Sequence, residues 1–179
     1  IAISYEELGA VIDPVAAAEP DAPVLHDDVG SNVILTRTFQ RGDVDEVIET
    51  APVRVGDSFR MRRKTPTAME NRGYLADYDQ GRRALTLHST SQVPGVVRDA
   101  LVEMLDIPGN RLRVVAPDVG GGFGGKGALY REEVLVCVLA RLLGRPVKWL
   151  SDRTEDLMST NQAFDERIEA ELACGEDGH

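Results

Sequence analysis

The sequence predicts an α+β fold in which a mixed β-sheet carries two main helices on one face. Three observations lead to this prediction. Strand-like and helix-like segments follow one another in the order β-β-β-α-β-α-β-β, two helical segments carry an apolar stripe, and a glycine-rich loop joins a strand to a helix. The chain has 179 residues, 42% of them hydrophobic and 28% charged, which is typical of one soluble globular domain or little more.

Composition and charge exclude several classes of protein. The net charge of −10 argues against a nucleic-acid binder, because such proteins normally carry a clustered basic face. No stretch approaches the roughly 20 apolar residues of a membrane span. Two cysteines, Cys137 and Cys174, give neither a disulfide framework nor a metal-ligand spacing. These features indicate a cytoplasmic protein that binds no nucleic acid.

The first third of the chain predicts little regular structure. A strand is expected at residues 1–5 and another at 36–39, with an extended connector between them because its prolines fix φ and remove backbone donors. Asp43 and Glu46 then fit the start of a short helix. The residues expected to face inward from this helix are Val44, Val47 and Ile48.

From residue 53 the pattern is β, with strands predicted at 53–61, 73–78 and 83–87. A turn at Asp79-Gln80-Gly81 joins the last two. Pro94 opens a helix, where its missing N–H has no cost. The apolar stripe of that helix is Val97, Leu101, Met104 and Leu105.

The second half alternates strand and helix. A strand at 111–116 leads to the glycine-rich loop, and a helix at 130–143 follows it and ends at Gly144. A short strand at 147–150 precedes a brief helix capped by Asp152. The last strand, from Arg167 to Cys174, alternates apolar and charged residues and is expected to be buried on one face.

Features at both ends of the sequence indicate that this chain is part of a longer protein. The chain begins without methionine inside a strand-like pattern. It ends just after Asp177-Gly178, a strong hairpin signal, with no second strand behind it.

The glycine loop, defined here as Gly120–Gly127, carries the most unusual chemistry. Glycine loses more conformational entropy on folding than any other residue, so six glycines in eight positions require a reason. A strand, a glycine loop and a helix in succession can direct several backbone N–H groups at an anion or a polar cofactor. The loop also fits a phosphate-loop pattern ending in Lys126, except that Gly127 stands where Ser or Thr should hold magnesium. A phosphate-loop-like nucleotide-binding domain and a non-catalytic interaction domain therefore remain alternatives.

A larger set of motifs points to one family. In chain order they are Pro-Thr-Ala-Met-Glu-Asn-Arg-Gly at 66–73, Ser-Thr-Ser-Gln-Val-Pro at 89–94, the segment 113–126, Tyr-Arg-Glu-Glu at 130–133 and Gly-Arg-Pro-Val-Lys-Trp at 144–149. With this order and spacing the chain resembles the molybdopterin-binding large subunit of the xanthine dehydrogenase and aldehyde oxidase family. It looks closest to bacterial carbon monoxide dehydrogenase large subunits.

The resemblance implies a domain organisation and an activity. Residues 1–36 would be the C-terminal tail of a preceding small α/β domain plus a connector, and residues 37–179 the truncated N-terminal part of the molybdopterin-binding domain. The parent protein would be a molybdopterin-dependent oxidoreductase that oxidises carbon monoxide, an aldehyde or an N-heterocycle with water as the oxygen source. The general-base glutamate of the family lies beyond His179. No catalytic residue is therefore expected within this chain, which should be inactive alone.

The resemblance also implies cofactors, partners and contacts. The cofactor would be molybdenum–molybdopterin in its cytosine dinucleotide form, with molybdenum held by the pterin dithiolene and by no residue of this chain. Gln92 would reach an oxygen ligand of molybdenum, and the backbone around Gly121, Gly122, Phe123 and Gly124 would contact that ligand and the pterin. Partners would be the rest of the large subunit, an iron–sulfur subunit, a flavin subunit carrying FAD and a small-molecule substrate. The isolated chain would expose apolar faces and self-associate.

Plainer roles compete at several positions. The amide of Gln92 would be satisfied by backbone groups at a strand end, and Phe123 would be a core aromatic. Lys126 would meet solvent or a carboxylate rather than phosphate. The remaining charged pairs are Glu70 with Arg72, expected to form a structural ion pair, and Glu132 with Glu133, expected to be helix-start charges.

Overall fold

A computed structural model describes residues 2–178, which fall into two compact units. Residues 2–62 and 165–178 form the ribbon unit, and residues 63–164 form the sheet unit. In chain order the elements are α1 Pro14–Ala17, α2 Val44–Thr50, β1 Val53–Met61, β2 Gly73–Asp79, β3 Ala84–Ser89, α3 Pro94–Leu105, β4 Leu112–Val115, α4 Arg131–Leu143, β5 Val147–Leu150, α5 Arg153–Ser159 and β6 Glu166–Cys174.

The ribbon unit is built on one antiparallel pair of strands. β1 pairs with β6 along its whole length, from Val53 opposite Cys174 to Met61 opposite Glu166. Alternation along the strands collects apolar side chains on one ribbon face. These are Val53, Val55, Phe59, Met61, Ile168 and Leu172, all at least 39% exposed. The prediction that the last strand is buried on one face is therefore wrong within residues 2–178, since the apolar side chains on that face are largely exposed.

The N-terminal predictions need further correction. Residues 2–5 and 36–39 form no strand, and Ile1 lies outside the described residues. The prolines instead allow the short helix α1, whose first N–H groups are capped by Asp13 at 2.8 and 3.1 Å. α2 starts where predicted, although Asp43 makes no side-chain capping bond. Of the residues expected to face inward, Ile48 is half-buried, but Val44 and Val47 are 45% and 53% exposed because the described residues of this unit form no buried apolar core.

The sheet unit contains the predicted mixed sheet, in the strand order β4-β3-β2-β5. β2 is antiparallel to both β3 and β5, whereas β3 and β4 are parallel because the helix α3 crosses between them. The prediction of an α+β fold is confirmed, with β1 and β6 forming a separate two-stranded sheet.

Both main helices pack on the same core. α3 contributes Val97 and Leu101, and α4 contributes Val136, Cys137 and Ala140. They meet one cluster of sheet residues: Tyr74, Ala76, Leu85, Leu87 and Leu112. The helices lie where the sequence placed them, although Met104 of the predicted stripe is 60% exposed. This core fixes the end of β4 and the start of α4, the two elements that the segment with the glycine loop connects.

Candidate functional site

The glycine loop has an unusual backbone. Gly121, Phe123 and Gly124 adopt φ of +93°, +51° and +88°, while Gly122 between them does not adopt a positive φ. A non-glycine residue at positive φ is uncommon, so Phe123 is held there by its surroundings. Residues at positive φ are a component of the backbone concavities that bind anions, so this segment can present successive N–H groups to a polar ligand.

Three consecutive donors in this loop are free. Gly125 N–H donates to the Gly122 carbonyl at 2.8 Å, and Gly127 N–H donates to the Gly124 carbonyl at 3.2 Å. The N–H groups of Gly121, Gly122 and Phe123 find no acceptor among residues 2–178. Buried backbone donors are nearly always paired, and Gly122 is buried, so its unpaired N–H beside those of Gly121 and Phe123 indicates a place for a polar ligand or water.

Gln92 lies against the loop and is oriented by it. Its Oε1 accepts the N–H of Gly124 at 3.0 Å and the N–H of Lys126 at 3.1 Å. Two donors at this position require an oxygen, which leaves Nε2 as the outward end of the carboxamide. A Cβ at Gly122 would lie 2.4 Å from the Gln92 carboxamide, so the close approach needs glycine. The expectation that backbone satisfies Gln92 is met for its oxygen, while Nε2 remains an unpaired donor within residues 2–178.

Lys126 forms an ion pair inside the protein. Its Nζ lies 2.8 Å from Oε2 of Glu70, and its side chain is only 4% exposed. The same Glu70 oxygen accepts the N–H of Gly120 at 2.8 Å. Lys126 therefore stabilises the start of the loop through the Glu70 carboxylate, in agreement with the expectation that it meets solvent or a carboxylate. It is not directed outward as a phosphate-binding lysine would be.

The predicted ion pair between Glu70 and Arg72 is wrong. The Arg72 guanidinium is fully buried and donates to Asp156 at 3.0 Å, with Glu132 at 3.6 Å on its other side. Burial alone would raise the pKa of Asp156, but hydrogen bonds from Arg72 and Ser151 outweigh it and lower that pKa. Sequence inspection missed Asp156 because it lies 84 residues from Arg72 and no local pattern links them.

Glu133 is more than a helix-start charge. It is buried at the first turn of α4, where Oε2 accepts the N–H of Tyr130 at 2.9 Å and Oε1 accepts the Ser89 hydroxyl at 2.7 Å. Burial raises its pKa from the ordinary value for glutamate, against the lowering effect of the hydrogen bonds from Tyr130 and Ser89. The glutamate thus caps the helix and ties it to the end of β3.

Phe123 does not belong to the core, contrary to the plainer expectation. Its side chain is 75% exposed. With Gly124 and Asn161 it lines an open cleft of about 330 Å³ in the sheet unit. The aromatic ring therefore lies at the surface next to Gly121, where an added Cβ would lie 3.0 Å from it.

Comparison with known proteins decides the family. The profile of the molybdopterin cofactor-binding domain matches residues 25–179. The chain belongs to this family. The resemblance found in the sequence motifs is thereby confirmed.

Relatives of this molybdopterin cofactor-binding domain are large subunits of oxidoreductases. The chain is 38% identical to the carbon monoxide dehydrogenase large chain of Hydrogenophaga pseudoflava, covering 99% of this chain and 24% of that protein. It is 32% identical to the nicotine 6-hydroxylase large subunit of Paenarthrobacter nicotinovorans, covering 99% of this chain and 22% of that one. The crystal structure of quinoline 2-oxidoreductase from Pseudomonas putida 86 superposes with a TM-score of 0.86 at 37% identity, covering 96% of this chain and 22% of that chain. The chain thus spans about a quarter of the length of these curated relatives.

The residues around the glycine loop fit a molybdopterin cofactor. Such a group presents oxygen and nitrogen acceptors, and the loop offers three free N–H groups with the Gln92 carboxamide beside them. A Cβ at Gly124 would meet nothing within 4 Å, so space is open at Gly124, whereas a Cβ at Gly121 would lie 3.0 Å from the Phe123 ring. In residues 2–178 no group of three or more His, Cys, Asp or Glu could hold a metal ion. None of the helices there is long and apolar enough to cross a membrane.

Proposed function

We propose that this chain forms one wall of the molybdopterin site in the large subunit of a molybdenum hydroxylase. The reaction would be oxidation of carbon monoxide, an aldehyde or an N-heterocycle with water as the oxygen source. The names of the relatives support this range, since they include a carbon monoxide dehydrogenase, a nicotine 6-hydroxylase and a quinoline 2-oxidoreductase.

One observation carries the proposal: the free N–H groups of Gly121, Gly122 and Phe123 lie beside a carboxamide whose oxygen is already occupied. The cofactor, when bound, supplies the molybdenum redox chemistry. The chain supplies donors held in place before the cofactor arrives, so no reorganisation is needed as negative charge develops on the cofactor oxygens. Nε2 of Gln92 and the Gly124 region would face the oxygen ligands of molybdenum, and Gly121, Gly122 and Phe123 the same ligand and the pterin.

Other parts of the enzyme would complete the site. We place the general-base glutamate beyond His179, so this segment would be inactive by itself. Two observations support this division: the chain spans 24% of a carbon monoxide dehydrogenase large chain, and the apolar side chains of the β1–β6 ribbon are largely exposed. In the proposed assembly residues 37–179 open the molybdopterin-binding domain and residues 1–36 end the preceding one. An iron–sulfur subunit and an FAD subunit would receive the electrons in the cytoplasm. The cofactor would carry cytosine dinucleotide.

Molybdenum analysis of two glycine variants tests the proposal. In the enzyme that carries this segment, expressed with its partner subunits, Gly124→Val places a branched side chain in the open space beside the donors. Gly42→Val is the matched control, because Gly42 also has positive φ (+71° against +88°) and also has nothing within 4 Å of its Cβ. Both variants carry a backbone strain of about 1–3 kcal/mol, so they should lose similar stability.

Of the two variants, only Gly124→Val should bind the molybdenum cofactor more weakly. The expected loss in affinity is about 10–100-fold, the range seen when a residue that orients a metal site is changed. Inductively coupled plasma mass spectrometry gives the molybdenum content per folded protein. Equal molybdenum in Gly124→Val and Gly42→Val would contradict the proposed function and favour a non-catalytic interaction domain.

A further inference from the structure

We infer that Tyr130 is a positioning residue that holds the glycine loop in its donor-presenting conformation through its hydroxyl group. This inference rests on the proposed function, because it concerns the loop that would receive the cofactor. Tyr130 lies at the N-terminus of α4 and is 8% exposed. In the sequence, Tyr130 is only the first residue of the Tyr-Arg-Glu-Glu motif at 130–133, with no role of its own.

The hydroxyl of Tyr130 joins two separate segments. It donates to the carbonyl of Gly125 and accepts the N–H of Asn161 at 3.0 Å. Gly125 is packed tightly at this point, since a Cβ there would lie 2.7 Å from Pro66 and 2.8 Å from Thr160. The far side of the loop is therefore fixed against both the chain before β2 and the chain after α5.

The bond from the Tyr130 hydroxyl to Gly125 is linked to the free donors by one more hydrogen bond. The N–H of Gly125 donates to the carbonyl of Gly122 at 2.8 Å. That carbonyl belongs to the peptide group whose nitrogen is Phe123, one of the three free donors. A shift of Gly125 would therefore turn the peptide that presents the Phe123 N–H.

The Tyr130 ring cannot move away easily. The guanidinium carbon of Arg72 lies 4.1 Å from the ring centroid, and Arg72 is itself fixed by Asp156 at 3.0 Å. The backbone N–H of Tyr130 is held by Glu133 at 2.9 Å. The ring and the backbone of Tyr130 are thus both held in the core. Its hydroxyl is the group that connects this fixed residue to the loop.

Tyr74 offers a matched control. It is also buried in the same core, at 3% exposure, and its ring stacks on Trp149 at 5.3 Å. Its hydroxyl makes no hydrogen bond to another residue in the range 2–178. Tyr130→Phe and Tyr74→Phe therefore remove the same atom from the same core, but only the first removes a loop contact.

The test measures amide hydrogen exchange and molybdenum content. In cofactor-free enzyme, Tyr130→Phe should speed exchange in the peptide covering residues 118–129 about tenfold, as expected for the loss of one buried hydrogen bond, while Tyr74→Phe leaves that peptide unchanged. In enzyme grown with molybdate, Tyr130→Phe should also lower molybdenum per folded protein, and Tyr74→Phe should not.

Gly125→Ala provides a second variant if Tyr130→Phe fails to fold. Its added Cβ would lie 2.7 Å from Pro66 and 2.8 Å from Thr160, so we expect Gly125 to shift away from the Tyr130 hydroxyl while Tyr130 stays in the core, with the same two changes in exchange and molybdenum content. Unchanged loop exchange would overturn the inference, as would faster exchange with full molybdenum content. The exchange measurement needs no cofactor, so its result is separate from that of the Gly124→Val test of the proposed function.

Discussion

The carboxamide oxygen of Gln92 accepts the backbone N–H of Gly124 at 3.0 Å, and this bond decides which end of the side chain faces outward. With the N–H of Lys126 also donating to that oxygen, the carboxamide is held by two donors. Its NH₂ end is left for a partner outside the loop. Gln92 is thus an oriented donor and not merely a polar residue at the end of a strand.

Gln92→Glu separates these two roles. A glutamate keeps an oxygen acceptor for Gly124 and Lys126 but has no NH₂ group to donate. We expect the free energy of unfolding to change by less than about 1 kcal/mol, and molybdenum per protein to fall about tenfold through the loss of one hydrogen bond to a charged group. Gln40→Glu, an exposed site in the ribbon unit, controls for the added charge. Full molybdenum content in Gln92→Glu would show that Nε2 contacts no cofactor atom.

Glu133 should give the stability of the protein a pH dependence. Burial raises its pKa in the folded state above the value of about 4.3 expected when unfolded. The native state therefore binds the proton more tightly. The contribution of this group to stability is fully present below the unfolded pKa and is lost as pH rises through the folded pKa.

Glu133→Gln should remove this part of the pH dependence. Urea denaturation between pH 4 and pH 8, values chosen to bracket the roughly 4.3 of unfolded glutamate, measures the slope. Glu103→Gln, at an exposed position of α3, should keep the wild-type slope. If the slope in Glu133→Gln equals that of wild type, another group is responsible.

The buried pair of Arg72 and Asp156 should matter far more than a surface pair. Asp156→Asn leaves the Arg72 guanidinium buried without its main counter-charge, which should lower the free energy of unfolding by about 3–5 kcal/mol. Asp79→Asn is the control, because Asp79 meets Arg82 at 3.8 Å on the surface and should contribute little.

The sign of the pH effect is opposite for Asp156. Its folded pKa is lowered, so its contribution is present above the unfolded pKa of about 3.9 and is lost as pH falls through the folded pKa. Acid titration of stability should show this loss in wild type and not in Asp156→Asn. Equal stabilities of the Asp156→Asn and Asp79→Asn variants would contradict the importance of the buried pair.

Lys126 should not bind nucleotide. Its Nζ is paired with Glu70 at 2.8 Å, and α4 begins only at Arg131, so the geometry of a phosphate loop leading directly into a helix is absent here. Isothermal titration with magnesium-ATP should show no saturable binding. Saturable binding that Lys126→Met abolishes would restore the phosphate-loop alternative.

The two thiols should differ sharply in reactivity. Burial raises the pKa of Cys137 to about 12, whereas Cys174 is partly exposed at the end of β6. Because the thiolate is the reactive form, iodoacetamide should label Cys174 and spare Cys137 in the native state. Peptide mapping by mass spectrometry distinguishes them. Equal labelling would mean that α4 leaves the core under native conditions.

Local signals predicted much of the fold. Pro94 opens α3, Gly144 ends α4 with φ of +61°, and Asp152 caps α5 by accepting the N–H of Glu155 at 2.8 Å. Each depends on the backbone preference of one or two residues and so can be read without knowing the fold. Several of the predictions that failed concern burial. Val44 and Val47 have the spacing of an inward face but no core to enter.

Contacts distant in sequence could not be predicted in the same way. The strand that ends at Cys174 pairs with the one that begins at Val53, although the Asp-Gly signal pointed to a hairpin with a following strand. The choice of Lys126, and not Arg72, as the partner of Glu70 likewise depends on how the loop returns to the start of β2. Each contact joins segments that only the folded chain brings together.

The sequence by itself determined that six of the eight residues in the loop Gly120–Gly127 lack a side chain, which lets the backbone there approach a ligand closely. It also determined the family, through motifs spread over the chain. Only the tertiary structure decided which donors stay free. Gln92 accepts the N–H groups of Gly124 and Lys126, Glu70 accepts that of Gly120, and Tyr130 donates to the Gly125 carbonyl. The three N–H groups of Gly121, Gly122 and Phe123 remain because no side chain in residues 2–178 reaches them.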